Sequence, residues 1–362
     1  MGAGLSRRVC LIPHLSGVGG MVSFQHKLAT GLKRRGVDVC YDLADPPYAS
    51  VLVVGGTRQL AALWRTRRKG IPIIQRLDGM NWVHRLRNRD GTRRTGLRHA
   101  LRAEYGNLVL RIIRSRLAQC IVYQSEFSRR WWERVHGKTR LPDVVVYNGV
   151  DLDQYTPVGA SQRLEGRMRL LLVEGSLMGG YETGLEVAMQ LAVKLEQRLR
   201  TASDHSYSHK ATGAVELMVV GRVAPEVQTY WQQRSPLTIH WAGLVPQERI
   251  PEIDRSAHLL YSADVNAACP NSVVEALACG LPVVAFDTGA LPELVVGDAG
   301  RIAAYGGDPW HLEPPNVPAL VEAALEVLGD QNHFRRAARE RAESALGLDQ
   351  MVDSYLQVLL DA

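Results

Sequence analysis

The sequence predicts an α/β protein built from two doubly wound, Rossmann-like domains. Three observations predict it. Residues 9–13 are a short apolar run that enters Ser16-Gly17-Val18-Gly19-Gly20 and then a helical pattern over 21–35, ended by Gly36. Strand, glycine-rich turn and helix in that order begin a doubly wound sheet. The same succession returns at 170–173, Gly175-Ser176-Leu177-Met178-Gly179-Gly180 and a helix over 181–200. Charge divides between the two: up to Pro157 there are 27 Lys and Arg against 11 Asp and Glu, a balance of +16, while the remainder carries −10 of a total of +6. Two bodies of opposite sign imply different partners. A chain of 362 residues can bury a core in each.

The first half reads in order as follows. Residues 37–41 and 51–54 are further short apolar strands, and Gly55-Gly56-Thr57 leads into a helix over 58–69. That helix sets Leu60, Ala61, Leu63 and Trp64 beside Arg58, Arg65, Arg67, Arg68 and Lys69, a pattern that suits an anionic membrane surface. It equally describes a surface helix whose apolar face lies on the sheet. Residues 71–75 form a strand followed by Arg76-Leu77-Asp78-Gly79. Asp78 falls at the carboxyl edge of the sheet, where open α/β folds bind ligands; its plainer role is to cap the next turn. Residues 80–97 read as a polar, mobile loop. In the helix that follows, over 98–117, Leu101, Leu108, Ile112 and Ile113 make one apolar face and Arg102, Arg111, Arg114 and Arg116 a basic one. A strand over 120–123 and a helix opened by Ser125 come next, the helix holding Trp131-Trp132. Two basic amphipathic helices, a tryptophan pair and the +16 balance point to peripheral contact with an anionic membrane or an anionic, lipid-linked acceptor. Nucleic acid is the rival for any basic surface, but no recognition-helix motif, zinc finger or RNP-type strand occurs, so no nucleic-acid partner is expected. A strand over 144–147 runs into Asn148-Gly149-Val150-Asp151. Asp151-Leu152-Asp153 has the D-x-D form of metal-dependent transferases, yet it sits in a turn before a linker and reads as structural, so no metal is expected.

In the second half, 217–220, 238–241 and 258–261 read as strands, 201–213 as a surface loop, and 319–328, 334–345 and 351–360 as closing helices. Residues 269–295 are the most informative. Pro270, Asn271 and Ser272 suit a helix start with capping side chains, Glu275 lies one turn in, and Gly280 ends the helix. Residues 283–286 are a buried strand, and Thr288-Gly289-Ala290 turns into a second helix at Leu291. Two helix N-termini flank one strand, and each offers free N–H groups to phosphate. A carboxylate such as Glu275 can accept two hydrogen bonds from a ribose diol. Phosphate and ribose together mean a nucleotide; an ordinary strand–turn–helix unit is the alternative.

Five cysteines without a C-x-x-C pair read as buried thiols of a reducing compartment. No apolar run approaches the ~20 residues needed to span a bilayer, and residues 9–13 are too short for a signal peptide. Met1-Gly2 with Ser6 matches only a loose myristoylation pattern. The expected location is cytoplasmic, with peripheral contact at the inner face of a membrane.

The motif Glu-Ala-Leu-Ala-Cys-Gly-Leu-Pro-Val-Val at 275–284, followed by Gly289 and Glu293, resembles the donor-nucleotide segment of family 4 glycosyltransferases. The Gly19-Gly20 loop and the Asn-Gly-Val-Asp at 148–151 resemble the same family in order along the chain. The resemblance implies a GT-B architecture: two Rossmann-like doubly wound domains with an interdomain cleft. Residues 1–157 form the acceptor domain, 167–346 the nucleotide-sugar domain, and 347–362 a closing helix returning to the first. It implies retaining transfer of a sugar from a nucleotide-sugar to an acceptor hydroxyl, without cofactor or metal, the acceptor being a glycan or lipid-linked. Glu275 would bind ribose; Asn271, Ser272, Val273, Gly289, Ala290 and Leu291 would hold phosphate and sugar; Asp78 would act at the reacting sugar; Gly19 and Gly20 would face the acceptor. Three departures stand out. Ser176 occupies the place of the family's diphosphate-binding Arg, Tyr181 that of its Lys, and Ala267 that of the first acid of E-x7-E. Arg222, at the end of the next strand, is the candidate replacement cation. The departures also suit a catalytically impaired relative serving as a membrane-associated or assembly subunit. A nucleotide-sugar epimerase on a similar fold finds no acid/His set to support it.

Overall fold

A computed structural model of the chain describes residues 7–17, 19–86, 96–160, 163, 166–178, 182–203 and 215–360. The chain divides into two compact units, Met1–Gly149 with Gly347–Ala362, and Val150–Leu346. The fold class is α/β, two parallel six-stranded sheets flanked by helices.

The first unit holds strands β1 (Arg8–Ile12), β2 (Asp38–Cys40), β3 (Ser50–Val54), β4 (Ile73–Leu77), β5 (Cys120–Tyr123) and β6 (Asp143–Val145). They run parallel in the order β2-β1-β3-β4-β5-β6. Helices α1 (Gly20–Arg34), α2 (Leu60–Arg68), α3 (Leu97–Ile112) and α4 (Glu126–His136) connect them. Every residue of β3, Ser-Val-Leu-Val-Val, is buried, as a strand covered on both faces requires. One face of the sheet packs Leu28 and Leu32 of α1 against Leu11 and Leu52, with Val352 and Tyr355 of the C-terminal helix (Leu348–Leu360). The other face packs Leu63, Val109 and Ile113 against Ile12 and Val53. Each fully buried aliphatic side chain contributes about 1.5–3 kcal/mol. The C-terminal helix lies so close to α1 that a Cβ at Gly31 would strike the Val352 side chain. Arg35 holds it with ion pairs to Asp349 at 2.9 Å and Asp353 at 2.6 Å.

The second unit contains β7 (Met168–Ser176), β8 (Val215–Arg222), β9 (Thr238–Gly243), β10 (Leu259–Tyr261), β11 (Val283–Phe286) and β12 (Gly300–Ala303). Their order is β12-β11-β10-β7-β8-β9. Helices are α5 (Glu182–Ser203), α6 (Pro225–Arg234), α7 (Ile250–Ser256), α8 (Asn271–Ala278), α9 (Leu291–Leu294), α10 (Val317–Gly329) and α11 (Gln331–Ala345). Counted from its own first strand this order is 3-2-1-4-5-6 reversed, and its switch point lies between β7 and β10. The core joins Leu170 and Leu172 of β7 and Leu217 of β8 to Leu185 and Leu195 of α5 and Leu320 of α10.

Three expectations about the first unit need correction. The helix expected over 98–117 is α-helical only to Ile112, and Ile113–Leu117 form a π turn. The proposed apolar face is therefore split: Ile113 is buried in the core while Leu101 and Leu108 are exposed. Arg114, expected on a basic surface, is buried and donates to the Tyr123 hydroxyl at 3.2 Å and the Gly137 carbonyl at 2.8 Å. Second, Trp131 and Trp132 are both buried, so this pair is no interfacial anchor. Third, residues 80–86 are pinned, not free. Asn107 accepts from the Asn81 amide and donates to its carbonyl, each at 2.9 Å, and Glu104 pairs with His84 at 2.9 Å and Arg85 at 2.7 Å. The hydrogen bonds from Arg85, first, and His84 pull the Glu104 carboxyl down to about 2. Residues 87–95 of the expected loop lie outside the described residues.

Candidate active site

In open α/β sheets ligands bind beyond the carboxyl ends of the strands at the switch point. In the second unit that point carries a pocket of about 240 Å³, lined by Glu174, Ser176, Leu177, Ala263 and Asp264. β7 supplies Glu174 and Ser176, and the turn after β10 supplies Ala263 and Asp264. The end of β7 bulges, so that Ser176 pairs with Arg222 of β8 and the Leu177 amide donates to the Arg222 carbonyl at 2.9 Å. Ser176 and Arg222, both sequence candidates, are thereby brought side by side, and both are exposed. Gly221 makes the bulge possible: its φ is +138°, and a Cβ there would overlap the Glu174 carbonyl. Gly179, Gly180 and Tyr181, the rest of the expected phosphate loop, lie outside the described residues.

Glu174 and Asp264 were not singled out from the sequence. Burial raises the pKa of Glu174 well above the carboxylate range, and Asp264 adds to it; burial pushes Asp264 up to about 6. Both carboxyls of the pocket are thus displaced toward the neutral form, chiefly by burial. The signal was available: Glu174 directly precedes the Gly175 turn, and Asp264 follows its strand at the same edge.

Glu275 does not line this pocket. It is buried in α8, 3.5 Å from Nε2 of Gln247, and the Gln247 carbonyl lies 3.4 Å from the Tyr155 hydroxyl. Burial, then the Glu275 charge, raises both Asp254 and Tyr155. α8 begins at Asn271 with Pro270, not Asn271 or Ser272, in the cap position, and that cap makes no side-chain hydrogen bond. The capping expectation fails because Pro270, which has no hydrogen-bonding side chain, takes the cap position. Asn271 and Ser272 are half-buried and Val273 is buried at this helix start. The second expected phosphate helix shrinks to the four residues of α9. Its entry is already occupied: the Ala290 amide donates to the Ala267 carbonyl at 2.8 Å and the Leu291 amide to the Thr288 carbonyl at 3.3 Å. Gly289, at φ +61°, packs so tightly that a Cβ would sit 2.5 Å from the Ala267 backbone. The amides of Ala290 and Leu291, expected to be open to phosphate, therefore already have backbone partners.

In the first unit Asp78 stands directly after β4. Its carbonyl accepts from Nε1 of Trp132 at 2.8 Å, and Gly79 is needed because a Cβ there would lie 2.6 Å from the Trp131 ring. The buried tryptophans are the clamp on the Asp78 turn. Ser125 caps α4, which carries them, by accepting from the Ser128 amide at 3.1 Å. Burial raises the Asp78 pKa and Arg76, two residues earlier, opposes the rise. Arg76 is itself buried, stacked 3.7 Å over the Phe24 ring and donating to Oδ1 of Asn148 at 2.9 Å. Gly19 precedes α1 at φ +143° and its carbonyl accepts from Ser23; Gly20 is the first helical residue. Gly149 is required by the C-terminal helix, since a Cβ would lie 2.8 Å from the Leu348 backbone. Asp151 accepts from the amides of Asp153 and Gln154 at 3.0 and 3.2 Å, a turn-stabilising role. Among the described residues no group of three or more His, Cys, Asp or Glu is placed to hold a metal ion.

Residues 191–330 match the sequence profile of the glycosyl transferases group 1. These residues belong to the group 1 glycosyltransferases, and the fold is GT-B. The O-antigen chain mannosyltransferase B of Escherichia coli is 32% identical to this chain over 103 residues, 28% of the chain. That match spans about a quarter of the relative, 24% of its length. Among solved structures, the sucrose-phosphate synthase from Thermosynechococcus elongatus superposes with a TM-score of 0.66 at 13% identity, over 98% of this chain and 100% of that one. WaaG, a glycosyltransferase involved in lipopolysaccharide biosynthesis, gives 0.64 at 13% identity over 98% and 100%. HepE from Anabaena, solved with UDP-glucose, gives 0.61 at 15% identity over 98% and 100%. At such identities these structures speak for the GT-B fold.

Proposed function

We propose that the chain is a retaining glycosyltransferase that moves a hexose from a nucleotide-sugar to a hydroxyl of a glycan or lipid-linked acceptor. The observation that carries this reading is the pocket at the switch point of the unit that contains the group 1 segment. In this reading the second unit takes the donor and the basic first unit the acceptor. Glu275, buried in α8, accepts from the ribose hydroxyls. The start of α8 at Asn271, Ser272 and Val273 offers amides to phosphate. Ser176 donates a hydroxyl, and Arg222 beside it supplies the cation that position 176 lacks. Asp78, held through its backbone by Trp132, orients the reacting hydroxyl. The donor's own phosphate takes the acceptor proton, so the protein supplies placement and charge stabilisation, and the proposal invokes no resident cofactor or metal. A cytoplasmic location follows from the use of nucleotide-sugars.

One observation favours a second reading, a catalytically impaired relative acting as an assembly subunit. The pocket carries two carboxylates, and none of its five lining residues is a cation. Burial shifts both carboxyls toward the neutral form, which reduces their repulsion of a diphosphate without removing it. A thermal-shift screen with UDP-, GDP- and ADP-sugars separates the readings, because a ligand that binds the folded state raises the midpoint by mass action. The transferase reading expects at least one donor to raise it and Glu275→Ala to abolish the rise. No response to any donor, with Glu275→Ala leaving cellular glycans unchanged, overturns it.

A further inference from the structure

The correction to α3 exposes a feature that the site does not use. Leu97, Leu101, Tyr105 and Leu108 follow one another at helical spacing and are 60, 63, 50 and 49% exposed. A soluble helix ordinarily turns such residues inward, and α3 already has an inward face in Ala100, Asn107 and Leu110. The outer stripe is therefore additional to what the core needs. Arg98, Arg102 and Arg111 are exposed on its flanks, and its one acid, Glu104, is neutralised by Arg85 and His84. The end of this segment touches α2, where Arg67 donates to the Arg116 carbonyl. α2 presents Trp64, half exposed, with the Arg68 guanidinium 4.8 Å over its ring.

We propose that the outer face of α3, Leu97, Leu101, Tyr105 and Leu108 between Arg98, Arg102 and Arg111, docks on an anionic lipid bilayer. Charge complementarity selects that occupant. Leucines with a tyrosine at the polar boundary suit the headgroup–acyl border, and guanidiniums beside them meet lipid phosphates while their stems stay in apolar contact. The first 157 residues, which include the stripe, have an excess of +16, so attraction extends over a Debye length, about 8 Å at physiological salt. No helix among the described residues is long and apolar enough to cross a membrane, so the contact is one of lying on the surface. The inference is independent of donor binding, and the two fail separately.

The test is cosedimentation of the full chain with phosphatidylcholine vesicles, with and without phosphatidylglycerol. Binding is expected only to the anionic vesicles and is expected to fall steeply toward about 1 M salt, where the Debye length is about 3 Å. The triple variant Leu101→Ser, Tyr105→Ser, Leu108→Ser is expected to bind at least roughly tenfold more weakly while keeping the parent's melting midpoint, since these side chains are exposed. Arg98→Gln with Arg102→Gln and Arg111→Gln is expected to lose the salt dependence. Absence of cosedimentation at low salt overturns the proposal. So does a triple serine variant that binds like the parent, or a concentration-dependent dimer that this variant abolishes. The donor-induced midpoint shift, read on the same preparations, shows whether the transferase reading stands regardless.

Discussion

Asp78 at the end of β4 and the Glu174–Asp264 pair at the ends of β7 and β10 occupy equivalent edges of two parallel sheets, and their surroundings differ in kind. Asp78 has a buried arginine two residues away and two buried tryptophans holding its turn. Glu174 and Asp264 have each other, and burial drives both toward the neutral form. At both edges burial raises the carboxyl pKa, but at Asp78 a neighbouring cation opposes the rise, whereas at Glu174 a second carboxylate adds to it. Sheet topology places an acid at the edge, and the next residues in space decide its charge.

The comparison can be broken most forcefully at its glycines. Gly221→Ala meets the Glu174 backbone and should cost the second unit about 3 kcal/mol or more, read from denaturant midpoints. Gly31→Ala in α1 meets the Cγ atoms of Val352, a buried side chain and not backbone. It should cost about 1–3 kcal/mol, reduced by a helix-propensity gain of about 1 kcal/mol, and so less than Gly221→Ala. Equal losses would refute the view that the second edge is set by backbone contact. Next in size, Glu275→Ala should weaken the responding nucleotide-sugar roughly tenfold to a hundredfold, a loss of one charged hydrogen-bonding group. Asp78→Asn should leave that affinity within about threefold and reduce transfer; titration calorimetry and a product assay separate the two. Trp132→Phe removes one hydrogen bond to the Asp78 turn and should cost about 1 kcal/mol of stability, with transfer falling further than donor affinity. An unchanged product rate would leave Trp132 as packing alone. The smallest effect is one of pH. Below about pH 4 Asp264 is protonated whether the chain is folded or not. Between there and about 6 the unfolded chain ionises it freely while the folded chain resists, so stability is lost as pH rises. Asp264→Asn should therefore melt progressively higher than the parent across that window, by a few degrees, and hold a constant lead above it. A lead that shrinks with pH would contradict a raised Asp264.

Periodicity and turn chemistry carried most of the fold. Apolar runs such as 51–54 and 283–286 can only be strands covered on both faces, and the glycine-rich turns marked where helices begin. The reading of α3 failed because Leu101 and Leu108, before the π turn, face solvent, while Ile113, within it, turns into the core. The site was less legible for a different reason. Ala290 and Leu291 promised free amides, but whether an amide is free depends on Ala267, a residue distant in sequence. Trp131 and Trp132 looked interfacial because sequence gives side-chain chemistry without burial. Glu174 and Asp264 were overlooked because each is unremarked alone, and only the neighbouring of β7 and β10 makes them a pair.

The hydrogen bond from Trp132 to the Asp78 carbonyl also makes the protein its own optical sensor. An indole that is buried and bonded emits at shorter wavelength and is shielded from aqueous quenchers, unlike the half-exposed Trp64. A molecule that displaces the Asp78 turn must disturb the Trp132 indole. Engagement of the first unit would then register as a red-shifted, more quenchable emission component, with no label attached and no turnover needed.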